Sequence, residues 1–115
     1  MKISILGTNG FLSKAIAKYA NNAGWTLDLY GLDEPVGHTF NNFYKVNLMD
    51  VELDYTGLLD SDMIIYAIGA GIQANLMEGL NLIYNLNVTV PVSICNKLKE
   101  FNYQGLCNHL VQDKY

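Results

Sequence analysis

Arginine is absent from the chain. Its seven basic residues are all lysines, only 16 % of the 115 residues are charged, and the net charge is −4. A phosphate backbone is held by a concentrated basic face, and no such cluster is present, so nucleic acid is excluded as a partner. Cysteine is scarce as well. Cys95 and Cys107 are the only two, too few for a disulfide framework and not at metal-ligand spacing, which fits a reducing compartment. Long apolar runs are missing too. The uncharged stretches from Met63 to Met77 and from Gly79 to Asn96 are broken by Asn, Gln, Gly and Pro91, so no membrane span is expected. Met1-Lys2 leads straight into Ile3-Ser4-Ile5-Leu6, too short for a signal-peptide core, and a cytoplasmic protein is predicted. His38 and His109 have no carboxylate or cysteine cluster around them and read as loop or surface residues, leaving no metal site.

Half of the residues are hydrophobic, enough for one buried core. Strand and helix signals alternate along the chain, as a parallel sheet with crossover helices requires. Lys2 to Leu6 predicts a buried strand, and Gly7-Thr8-Asn9-Gly10 a turn. A helix follows over about Phe11 to Ala23, from the spacing of Leu12, Ile16, Tyr19, Ala20 and Ala23, with Gly24 as its left-handed stop. Trp25 to Tyr30 predicts the second strand, with Asp28 facing a strand end or solvent. Phe43 to Val46 predicts a short third strand, Leu53 to Leu59 a short helix or turn, and Asp62 to Ile68 the fourth strand. Asn75 to Phe101 reads as helical, divided near Pro91, which has no backbone N–H to donate. The tail from Leu106 to Tyr115 does not read as a strand, since only Leu110-Val111 are adjacent apolar residues in its closing run.

Gly7-x-x-Gly10-x-x-Ser13 stands between a strand and a helix, where a phosphate-binding turn belongs. Gly7 permits the tight turn, and Gly10 lets the backbone approach a pyrophosphate. The helix amino terminus supplies N–H groups and partial positive charge. Ser13, in place of a third glycine, is still small enough to keep helix and strand close. Two glycines can equally shape a βα turn with no ligand, and that alternative stays open on the motif alone.

Further segments make the chain resemble the NAD-dependent epimerase/dehydratase family, the extended short-chain dehydrogenases. Ile3 to Leu12 is similar to the family's first strand and turn, with an aromatic and an aliphatic residue after the second glycine. Val46-Asn47-Leu48-Met49-Asp50 resembles the segment after its third strand, with Asn47 in place of the usual Asp. Ile64 to Gly69 resembles its fourth strand, and Asn87-Val88 with Lys97-Leu98-Lys99-Glu100 its following helix, from which Pro91 departs. The resemblance implies a three-layer α/β Rossmann-like domain over residues 1–105, incomplete, with a four-stranded parallel sheet in order 3-2-1-4 and an irregular tail over 106–115. It implies NAD as cofactor, NADP not being excluded. Gly7, Asn9, Gly10, Phe11 and Leu12 would lie at the phosphates, Asn47, Leu48, Ala67, Ile68 and Gly69 would form the adenosine and pyrophosphate walls, and Asn87 is a weaker candidate.

Two departures limit the transfer. NAD-selective members carry a carboxylate at the end of the second strand, where this chain has Gly31; Asp33 can take that role or be a solvated turn residue beside Pro35. The family's Tyr-x-x-x-Lys pair is also missing, for none of the eight tyrosines has a lysine four residues later. The expectation is therefore a dinucleotide-binding fragment without catalysis of its own, the intact relative acting on a nucleotide sugar. The end of the similarity near Gly105 has two readings, an interrupted reading frame and a naturally short module. A noncatalytic dinucleotide-sensing or protein-interaction module, and an α/β domain without a ligand, are the alternatives. The fourth strand, left as an apolar edge, would invite pairing between copies.

Overall fold

The computed structural model describes residues 1–37, 39–47, 56–67 and 88–109. Its elements are β1 (Lys2–Leu6), α1 (Phe11–Asn22), β2 (Thr26–Gly31), β3 (Asn42–Lys45), α2 (Thr56–Leu59), β4 (Met63–Tyr66), α3 (Val90–Glu100) and β5 (Leu106–His109). The strands form one parallel sheet in the order β3-β2-β1-β4-β5.

Strands covered on both faces carry near-continuous apolar runs, as β1 and β4 do, and β2 is buried from Leu27 to Gly31 although Asp28 interrupts its apolar residues. Alternation then divides the core in two. Leu6, Tyr30, Ile64 and Tyr66 face Leu58 of α2 and Ile94 and Leu98 of α3. Ile3, Ile5, Leu27, Leu29, Ile65 and Ala67 face Ala17 and Ala20 of α1. Helices thus cover both faces of the sheet, and the expected three layers and 3-2-1-4 order are present.

The buried residues of α1 are Ser13, Ala17 and Ala20, while Tyr19 is largely exposed and stacks edge-on against Trp25. Small side chains three and four apart bring the helix axis close to the sheet. Gly24, at φ +73°, terminates the helix, and the N–H of Trp25 donates to the carbonyl of Ala20 at 3.0 Å. Pro91 lies in the first turn of α3, where its missing N–H costs no α-helical hydrogen bond; Val88 and Thr89 before it are π-helical, so no division appears there among the described residues. The helix expected before Val90 lies outside the described residues, as does His38.

Two expectations are corrected. Leu106–His109 is not an irregular tail but β5, in register with Met63–Tyr66 of β4. An edge strand is held by its backbone ladder, whose groups need partners whatever the side chains are, and so it carries a weak apolar signature. Consequently β4 is an interior strand and not the exposed edge. Asp28 faces neither solvent nor a strand end: it is buried, with Lys2 Nζ 3.4 Å from Oδ2 and the Asn42 amide donating to Oδ1 at 2.9 Å. A lysine from β1 and an asparagine from β3 compensate the buried charge, and neither pairing is visible to local periodicity.

Candidate functional site

Strand order reverses beside β1, whose neighbours are β2 and β4, so the crevice of this sheet opens at the carboxyl end of β1. The turn from β1 into α1 occupies that position. Its first residue, Gly7, has φ +130°, a conformation closed to most side chains, and its N–H donates to Tyr30 O at 2.7 Å. A Cβ at Gly7 would lie 2.8 Å from Ser13 Oγ and 2.9 Å from the carbonyl oxygen of Ala67. Strand end, helix and β4 terminus therefore meet at this glycine. Ser13 fits beneath it, as expected for a small replacement of a third glycine, but its buried Oγ has no hydrogen-bond partner among the described residues.

Gly10 caps α1 in an extended conformation, φ −70° and ψ 160°, which any residue can adopt. Its glycine matters for a different reason: no side chain closes over the helix end. The first turn of α1 holds no acidic residue and no side chain caps it. That end carries partial positive charge with no acidic side chain in the first turn to oppose it. Phe11 stands 84 % exposed at the first helical position, with Leu12 half-buried behind it.

Asn9 has a use that the motif does not reveal. Its amide nitrogen donates to Glu34 O at 2.9 Å, and its amide oxygen accepts from the N–H of Val36 at 2.9 Å. The phosphate-type turn is thereby fastened to the segment that follows β2. Asp33 is exposed, just before the fastened residues. Thr8, nearly buried, fills the space beside Gly31: a Cβ there would lie 2.7 Å from Thr8 Cγ2 and 2.9 Å from its Oγ1. Thr8 was not singled out by sequence; the available signal was a glycine at a strand end where a side chain is ordinarily found.

On the far side of β2, the N–H of Val46 donates to Gly31 O at 2.9 Å, which sets Asn47, exposed, at the same edge of the sheet. Ala67 is buried at the end of β4, its N–H donating to Leu6 O at 2.8 Å. Gly7, Asn9, Gly10, Phe11, Leu12, Asp33, Asn47 and Ala67 thus all belong to the carboxyl-terminal end of the sheet. Leu48, Ile68, Gly69 and Asn87 lie outside the described residues. Among the described residues no group of histidine, cysteine and carboxylate side chains is assembled for a metal, and no helix is long and apolar enough to cross a membrane.

No family model and no curated protein matches the chain. Solved structures do. UDP-glucose 4-epimerase from Brucella ovis in complex with NAD superposes with a TM-score of 0.71 at 15 % identity, over 93 % of this chain and 34 % of that one. A short-chain dehydrogenase family protein from Francisella tularensis gives 0.67 at 18 % identity, over 96 % and 49 %. UDP-glucose 4-epimerase from Thermus thermophilus in complex with NAD gives 0.67 at 15 % identity, over 92 % and 36 %. The fold is therefore Rossmann-like, as in these short-chain dehydrogenase and epimerase structures. Within it, the architecture is the one shared with the nucleotide-sugar epimerases, as the motif resemblance led us to expect. The chain spans between about a third and a half of the length of these solved chains.

Proposed function

We propose that the chain is an NAD-binding module related to the nucleotide-sugar epimerases and dehydratases, which holds the dinucleotide without turning over a sugar by itself. The observation that carries this reading is the β1–α1 turn. Gly7, at φ +130° and seated against Ser13 and Ala67, leads into a helix end with no side-chain cap and no acidic residue. A pyrophosphate needs that combination of close backbone approach and unopposed positive potential. Structural likeness to two epimerases solved with NAD supports the reading.

In this reading Gly7 and Gly10, with the backbone of Asn9, Phe11 and Leu12, hold the pyrophosphate. Asp33 accepts hydrogen bonds from the adenosine ribose. By the resemblance, Asn47, Leu48, Ala67, Ile68 and Gly69 would complete the adenosine and pyrophosphate walls, with Asn87 the weaker candidate. Bound NAD would supply a hydride acceptor, while the protein binds and orients it. No Tyr-x-x-x-Lys pair is present to exchange a proton with a sugar, so binding without turnover is the expected behaviour. We place the module in the cytoplasm, where Cys95 and Cys107 stay reduced. Calorimetric titration of the purified chain with NAD tests the proposal, with absence of heat from a folded sample overturning it.

A further inference from the structure

We infer that Asn9 sets the choice between NAD and NADP, by holding the segment that carries Asp33 against the phosphate turn. The inference rests on the dinucleotide reading above and goes beyond it in naming a positioning residue.

A carboxylate that reads a ribose in this fold ordinarily stands at the end of the second strand. Here that place is closed. Any side chain at position 31 would meet Thr8 Cγ2 at 2.7 Å and Oγ1 at 2.9 Å, and Gly31 is itself buried. The next carboxylate along the chain is Asp33, in a segment without regular secondary structure. Left alone, such a segment would spread its carboxylate over many positions and lose selectivity. Asn9 prevents this with a two-pronged contact, donating to Glu34 O and accepting from Val36 N–H, each at 2.9 Å. Both ends of its amide are engaged, and the pinned span encloses Pro35, whose ring restricts the backbone further. Asp33 immediately precedes that span.

A carboxylate fixed there accepts from the two ribose hydroxyls of NAD and opposes the 2′-phosphate of NADP, a second anion. Once released, it does neither. Lys45, the register partner of Gly31 across β2 and β3, then stands as a cation at the same sheet edge, exposed and without a carboxylate partner among the described residues. Release of Asp33 therefore shifts preference toward the phosphorylated dinucleotide.

The test is a double-mutant cycle on the 115-residue chain, titrating NAD and NADP separately into wild type, Asn9→Ala, Asp33→Asn and the double variant. Asn9→Ser is run in parallel, and circular dichroism identifies which variants are folded. The expected result is an NAD over NADP preference that falls about tenfold in Asn9→Ala and Asp33→Asn alike, with no further fall in the double variant. Equal weakening of both ligands by Asn9→Ala, or a change in preference undiminished in the Asp33→Asn background, overturns the role of Asn9 while leaving the dinucleotide reading intact. A folded wild type that binds neither ligand overturns both.

Discussion

Thr8 and Gly31 exclude one another's variation: a single added carbon at position 31 would approach Thr8 Cγ2 to 2.7 Å. Two residues on adjacent strand ends thereby fix how the turn after β1 seats against β2. Gly31→Ala is expected to destabilise the fold by about 1–3 kcal/mol through overpacking, and to do so less in a Thr8→Ala background. Chemical denaturation of the two single variants and the double variant measures the coupling. Additive effects would show that the cost at position 31 does not arise from Thr8.

Gly7→Ala meets two obstacles at once, a φ of +130° and contacts of 2.8 and 2.9 Å to Ser13 and Ala67. Backbone strain of about 1–3 kcal/mol adds to overpacking of similar size, so a loss of about 2–5 kcal/mol is expected. Urea unfolding at constant m-value checks it. A variant as stable as wild type would mean that the turn has another low-energy form.

Ser13→Ala removes a buried hydroxyl without a partner among the described residues and keeps the small size the helix–sheet contact needs. A gain in stability of about 1 kcal/mol is expected, since burying an unpaired hydroxyl is costly and alanine is the better helix former. A clear loss in thermal unfolding would show that the hydroxyl has a partner in solution.

Asp28→Ala removes the acceptor of the exposed Asn42 amide and leaves Lys2, whose side chain is 27 % exposed, without its counter-charge. The expected cost is about 3 kcal/mol, at the lower end for a broken buried pair because Lys2 can still reach water. Denaturant melts read the change directly, and an effect below about 1 kcal/mol would show that the pair contributes little.

Much of this architecture was legible because it is local. The apolar run of β1, the Gly7–Gly10 spacing, the Gly24 stop and the placing of Pro91 at the start of a helix each follow from a few consecutive residues and from backbone chemistry. What was not legible depends on partners distant in sequence. Asp28 reads as a carboxylate at a strand end or facing solvent until Lys2 and Asn42 are brought beside it. Leu106–His109 reads as a tail until the free edge of β4 supplies its ladder. Asn9 reads from the resemblance as a residue at the phosphates, and only the fold sets Glu34 and Val36 within reach of its amide. At the candidate site the turn itself was visible, whereas Thr8 and the contacts of Asn9 with Glu34 and Val36 were not.

Calorimetric titration of NAD into the folded 115-residue chain, beside a Gly10→Val variant that places a branched side chain over the helix end, tests the central claim most directly. The account predicts saturable binding by the wild type that the variant loses while remaining folded. Absence of binding by a cooperatively folded wild type, or binding that Gly10→Val leaves unchanged, would contradict it.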